Sequence, residues 1–198
     1  EFYDMAEFAG RHVIENQLVE QNGKWGVDWA DFEEKLRGAD IFLLCNPHNP
    51  LGIVWTEEEL RRMMELCLKY HVLVVSDEIH SDFTYEGHTH HVFANLSPEF
   101  QEITVTCTAP SKTFNLAGLQ VSNIFIANPE LKKKFKKAIS AAGYSQVNVM
   151  GLVACQTAYE KGGEWLSRLK AYLAENLVFV REYIKEYLPG IRLVEPEG

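Results

Sequence analysis

The sequence predicts an α/β fold: a mostly parallel sheet covered by helices. Three observations carry this expectation. Two short unbroken apolar runs, Ile41–Cys45 (IFLLC) and Val72-Leu73-Val74-Val75, are what strands buried on both faces look like. Between them lies a single helix-length stretch whose apolar residues recur at helical spacing. Strand, helix and strand thus fall within residues 41–75, a βαβ unit whose crossover should be right-handed. A third β-rich run at 103–107 follows, and long helical patterns close the chain.

In chain order, residues 12–20 alternate loosely through Val13, Leu18 and Val19 and read as an edge strand. Asn22-Gly23-Lys24 is a turn, and Asp28 caps a short helix carrying Phe32 and Leu36. The strand 41–45 stops at Asn46-Pro47-His48-Asn49-Pro50-Leu51-Gly52, where two prolines and a glycine force a structured loop. Thr56 with Glu59 forms a capping box. The helix it opens places Leu60, Met63, Met64, Cys67 and Leu68 on one stripe and runs to about Tyr70. The strand 72–75 ends at Ser76-Asp77-Glu78-Ile79-His80. A loop rich in His, Gly and Thr (85–91), a polar stretch with Pro98 and the strand 103–107 lead to Lys112. Residues 121–127 form another strand, and Asn128-Pro129-Glu130 opens a helix. Helices follow at 149–161 and 164–187, Pro189-Gly190 ends the last one, and 191–194 begins a strand-like run. No internal repeat or low-complexity segment is present.

Bulk properties narrow the function classes. The chain has 198 residues, 46% of them hydrophobic and 12% aromatic, so it can bury a sizeable core and is not disordered. A formal net charge of −9 argues against a nucleic-acid partner. The one basic cluster, Lys132, Lys133, Lys134, Lys136 and Lys137, reads as the solvated face of a helix with Phe135 and Ile139 inward. Four cysteines (Cys45, Cys67, Cys107, Cys155) sit singly in apolar surroundings, as reduced thiols of a cytoplasmic protein would. No apolar run reaches the roughly 20 residues of a membrane span, so no membrane partner is expected. Both ends read as cuts, and the chain is expected to be an internal piece of a longer protein.

The chemistry gathers at three polar residues. Asn49 follows the first buried strand, Asp77 the second and Lys112 the third. If these strands are parallel, all three emerge at the carboxyl edge of one sheet, where open α/β folds bind ligands. Lys112 lies near a strand end among Thr108, Ser111 and Thr113, and desolvation there would favour its neutral, nucleophilic form. An imine-forming lysine, an anionic partner and a fixed hydrogen-bond donor are what a pyridoxal 5'-phosphate site requires.

At these residues the sequence resembles the aminotransferase class I/II family of fold type I pyridoxal phosphate enzymes. NPHNPLG (46–52), SDEIH (76–80) and the Ser111-Lys112 pair occur in family order, and the match covers the whole chain. The resemblance implies a three-layer α/β/α large domain, incomplete at its N-terminus, over 1–188, with a small domain starting at 189–198. It implies Lys112 as the Schiff-base lysine, Asp77 as the partner of the pyridine nitrogen and Asn49 as the donor to the phenolate oxygen. Two departures narrow the branch. His80 stands where most aminotransferases have Tyr, and Gln120 stands where they have a phosphate-binding Arg; Ser111 and Thr108 are candidate replacements for that contact.

Together NPHNPLG, SDEIHSDF and TAPSKTFNLAGLQ resemble the cystathionine β-lyase, or cysteine C–S lyase, branch. The resemblance implies β-elimination on a small-molecule amino acid by a homodimer. Two alternatives stay open: an aminotransferase, and a non-catalytic pyridoxal-binding sensor domain.

Other residues have plainer readings. His88, His90 and His91 read as a solvated loop, since no partnered Cys or acidic triad accompanies them, and no metal is expected. His80 is either part of the cofactor layer or a histidine packed behind it. Met63 and Met64 are core residues. Nothing in the sequence fixes the direction of Tyr144.

Overall fold

The computed structural model describes residues 2–144 and 146–198. An Asn-Gly turn with both residues at positive φ (54° and 81°) joins β1 (Leu18–Gln21) to β2 (Lys24–Val27), because only such a turn matches the twist of a tight antiparallel hairpin. The edge strand expected at 12–20 is therefore confined to its last residues plus Gln21. The ladder needs a partner, and β2 reaches only that far.

The main sheet has the order β3 (Ile41–Cys45), β4 (Leu73–Asp77), β5 (Thr104–Thr108), β6 (Asn123–Ile126). The first three strands run parallel, as expected, and β6 returns antiparallel. Two boundaries shift the site residues relative to the sequence reading. Asp77 is the last residue of β4 rather than part of the loop after it, and Lys112 lies in a one-turn helix, α5 (Pro110–Thr113).

α2 (Trp29–Leu36) is capped by Asp28, whose carboxylate accepts from Ala30 N and Asp31 N. α3 (Glu57–Tyr70) has the full capping box. Thr56 Oγ1 accepts from Glu59 N, and Glu59 Oε2 accepts from Thr56 N. Three glutamates fill its first turn and Lys69 its last, matching the helix dipole, and His71 ends it in the left-handed region.

Leu60, Met63, Met64 and Cys67 of α3 are buried against Leu44 and Val74 of the sheet, with Phe32, Phe93 and Phe100 completing this core. That layer covers one sheet face. On the other, Ile41 and Leu43 are 53% and 41% exposed.

α1 (Phe2–Phe8) precedes the hairpin, and α4 (Pro98–Glu102) leads into β5. α6 (Pro129–Ala141) is capped by Asn128, and its lysines face solvent as the sequence implied. α7 (Val149–Lys161) and α8 (Gly163–Tyr187) follow. The strand-like run at 191–194 forms no ladder. Instead the tail returns to the β3 loop, where Glu197 N donates to Gly52 O (2.7 Å) and Tyr85 N donates to Glu197 O (2.9 Å). Gly52 has φ of 66°, and a Cβ there would stand 2.7 Å from Pro196 Cβ, so both backbone and space demand glycine.

This packing predicts where stability resides. In the full-length protein Leu60→Ala, at a position with no exposed surface, should cost about 2–5 kcal/mol. Lys133→Ala, on the solvated face of α6, should stay within about 0.5 kcal/mol. Denaturant midpoints of the two variants measure the contrast.

Candidate active site

The parallel register decides what meets at the carboxyl edge of the sheet. Cys45 of β3 is the register partner of Asp77, and Asp77 is the partner of Cys107 in β5. Paired neighbours project to the same face, so the three form one row across three strands, with Asp77 central. Asp77 Oδ1 accepts from Ile79 N (3.2 Å), and its carbonyl accepts from Asn46 N (2.9 Å). Burial, reinforced by the Asp77 charge, keeps both thiols protonated. It raises the Cys45 pKa against a smaller opposing effect of the Asn49 N–H, and with Glu78 also contributing it pushes Cys107 up to about 11.

The loop after β3 is tied down from several sides. Cys45 Sγ donates to Pro47 O (3.2 Å) and accepts from Asn49 N (3.4 Å), and Trp55 Nε1 donates to Cys45 O (2.9 Å). Asn46 is fully buried, with Nδ2 donating to His91 O (3.0 Å). Its Oδ1 has no hydrogen-bond partner among the described residues. Asn49 itself is exposed at the loop surface, one strand away from Asp77.

His80 is half-buried. Burial lowers its pKa, with the Asp77 carboxylate opposing and the Lys112 ammonium adding to the shift. The imidazole thus feels both charges at once, which brings Asp77, His80 and Lys112 into one electrostatic neighbourhood. Lys112 corrects one expectation: it is exposed, so the desolvated setting expected for it is not built by these residues. α5 has only four residues, of which Pro110 and Thr113 are buried while Lys112 faces out.

The two candidate phosphate contacts are placed differently. Ser111 is half-buried beside Lys112, and its carbonyl accepts from Leu116 N (3.0 Å). Thr108 alternates with Cys107 and so leaves the row of Asp77. Gln120 is exposed, at φ of 50°. Tyr144 is 56% exposed.

The histidine loop overturns a second expectation. His90 is not solvated: its side chain is 10% exposed, and its Nε2 meets Glu78 Oε2 at 2.9 Å. Glu78 is 1% exposed and satisfied on its other oxygen by Ser76 Oγ (2.8 Å) and Phe93 N (3.1 Å). Sequence inspection missed this pair because twelve residues separate its members and only the folded loop joins them. Glu78 and His90 border an open cleft of about 380 Å³ that also includes Thr106 and Phe125, on the sheet face opposite the Asp77 row. No group of three or more His, Cys, Asp or Glu among the described residues could hold a metal ion, and no described helix is long and apolar enough to cross a membrane.

A primary amine, a carboxylate and a carboxamide thus rise from the ends of three successive parallel strands. This donor set suits an aldehyde-bearing heteroaromatic cofactor with one basic ring nitrogen and one phenolic oxygen. Comparison with known proteins agrees. The chain is 43% identical over its full length to the cystathionine beta-lyase PatB of Bacillus subtilis, of which it covers 51%. It is 37% identical over its full length to the cystathionine beta-lyase of Corynebacterium glutamicum, again covering 51% of that protein. Among solved structures, the pyridoxal-phosphate-bound C-S lyase of Staphylococcus hominis superposes with a TM-score of 0.92 at 32% identity, over 99% of this chain and 49% of that one. The chain therefore spans about half the length of the relatives it matches. The model of the family "Aminotransferase class I and II" matches residues 1–198, and the chain belongs to that family.

Proposed function

We propose that the full-length protein is a pyridoxal-phosphate-dependent lyase that cleaves the carbon–sulfur bond of cysteine-type amino acids, releasing pyruvate, ammonia and a thiol. What carries this reading is the row at the carboxyl edge, with Asp77 at its centre, Asn49 beyond β3 and Lys112 beyond β5. The full-length similarity to proteins named cystathionine beta-lyase favours elimination over the transamination that the same residues would serve equally well.

Lys112 would attach the cofactor's aldehyde through its amine. Asp77 would pair with the ring nitrogen and keep it protonated, and Asn49 would donate to the phenolate oxygen. His80 would lie in the same layer as a neutral imidazole, consistent with its lowered pKa. Of the two candidate phosphate contacts, Ser111, half-buried beside Lys112, would serve better than Thr108, which lies off the Asp77 row. When bound, the cofactor supplies an electron sink for the charge left on the substrate α-carbon.

Once released from the cofactor, the Lys112 amine would take the substrate α-proton and hold it as an ammonium. The Cβ–S bond breaks with its electron pair going to sulfur. The departing thiolate would take up a proton, Lys112 would regain its own linkage and so release the enamine, and water would hydrolyse that enamine to pyruvate and ammonia.

Residues 1–188 would belong to the cofactor-binding large domain and 189–198 would begin the small one. The phosphate loop, the aromatic that stacks on the ring and the arginine for the substrate carboxylate would come from outside these residues, as would the cover for Lys112. A cytoplasmic homodimer fits this arrangement.

Borohydride reduction of the full-length holoenzyme followed by peptide mapping should label Lys112; a label on another lysine sinks the assignment. Asp77→Asn should retain cofactor but lose about two to three orders of magnitude in kcat, as with other removed electrostatic partners. Incubated with cystathionine or an S-alkyl cysteine and no keto acid, the enzyme should release pyruvate, ammonia and thiol over many turnovers. Product formed once per site, and resumed only on adding a keto acid, would establish the aminotransferase instead.

A further inference from the structure

α5 poses a mechanical problem. A single helical turn cannot hold its own direction, because so few backbone bonds do not repay the order they require. Lys112 is exposed and gains no rigidity from burial. The two residues that follow it, however, are both anchored. Thr113 has no exposed surface, and its hydroxyl donates to Asp82 Oδ2 at 2.7 Å. Asp82 lies in a run of tight turns rooted at the end of β4, where Ser81 N donates to Glu78 O (3.1 Å) and Phe83 N to His80 O (3.0 Å). The bond therefore joins the segment that carries Asp77 and His80 directly to the one that carries Lys112.

The next residue is held from the opposite side. The Phe114 ring packs edge-on against Tyr159 of α7 (5.6 Å between centroids) and beside Trp165 of α8 (5.8 Å). Gly162, between those helices, makes the room, since a Cβ there would stand 2.4 Å from Phe114 Cε1 and 2.4 Å from Ala158 O. Backbone as well as ring blocks any side chain at that position.

We propose that Thr113 is a positioning residue for Lys112, its hydrogen bond to Asp82 setting the distance and direction of the lysine relative to Asp77. The proposal rests on the role given to Lys112 above. A hydroxyl-to-carboxylate bond is charge-assisted and directional, so it can set geometry as well as hold the turn in place. Phe114 seated against Gly162 supplies the counterpart that keeps α5 from pivoting about that bond. The sequence carries the device as SD after EIH and KTF after PS, two short runs whose adjacency only the fold creates.

The test uses full-length holoenzyme carrying Thr113→Val, which keeps the shape and removes the hydroxyl, and Thr113→Ser, which keeps the hydroxyl. Cofactor affinity by titration, the pH dependence of the visible absorption of the lysine–cofactor linkage, and kcat and KM are measured for each. Thr113→Val should weaken cofactor binding by about tenfold, the loss of one charge-assisted bond. It should also displace the absorption titration and lower kcat more than it raises KM, while Thr113→Ser stays near wild type. Asp82→Ala, at a partly exposed position, should reproduce the Val phenotype, and the double variant should be no worse than either single one, which keeps the test decisive if Thr113→Val does not fold.

Wild-type affinity and absorption in Thr113→Val, or additive losses in the double variant, would overturn the proposal. A serine variant as impaired as the valine one would do the same, because packing rather than the hydroxyl would then matter. Borohydride mapping of the wild type separates the two levels. With Lys112 labelled, a normal Thr113→Val defeats the positioning role alone, whereas a label elsewhere defeats both.

Discussion

The parallel register of β3, β4 and β5 is the constraint on which the site depends. In a pleated strand a slip of one residue turns every side chain to the other face. Such a slip in β4 would drive Asp77 into the layer of Leu60, Met63 and Phe93 and expose Val74 and Ser76. Burying an unpaired carboxylate there costs several kcal/mol, and exposing Val74 forfeits its burial as well. The apolar pattern of the strands and the charge of Asp77 therefore select the same register, and that register aligns Cys45, Asp77 and Cys107.

The same alternation divides Ser76-Asp77-Glu78 between two tasks. Asp77 faces the open side of the sheet edge. Ser76 and Glu78 face the core side, where Glu78 is held by Ser76, His90 and the Phe93 backbone. A carboxylate that is 1% exposed needs this number of partners, and it gains from them the ability to pin a long loop. That loop in turn presents His91 O to the buried Asn46, so the two stretches after β3 and β4 are cross-braced behind the site. The thiol of Cys45 does a smaller version of the same work for Asn49.

Much of this was legible in the residues. The capping box at Thr56, the Asp28 and Asn128 helix starts, the two long C-terminal helices and the buried stripe of α3 follow from local rules and are found as read, whereas the short α1, α4 and α5 were not foreseen. The family was legible as well, because its wording is dense around Asn49, Asp77 and Lys112. The strand-like runs at 12–17 and 191–194 were misread for one reason: propensity nominates a strand, but only a partner makes a ladder, and the partner is not a local property.

The sequence by itself determined the α/β class, the order of the elements and the identity of the polar groups at the strand ends, since these depend on periodicity, capping and motif. Only the tertiary structure decided which of those groups meet. It took His90 from a solvent loop to a buried contact with Glu78, set Thr108 on the sheet face opposite Asp77, and set Thr113 against Asp82. It also left Lys112 exposed, against the burial inferred for it. Contacts between residues 12 to 31 positions apart are decided by strand register and loop closure, and these are settled by the burial of the whole core rather than by any one stretch of chain.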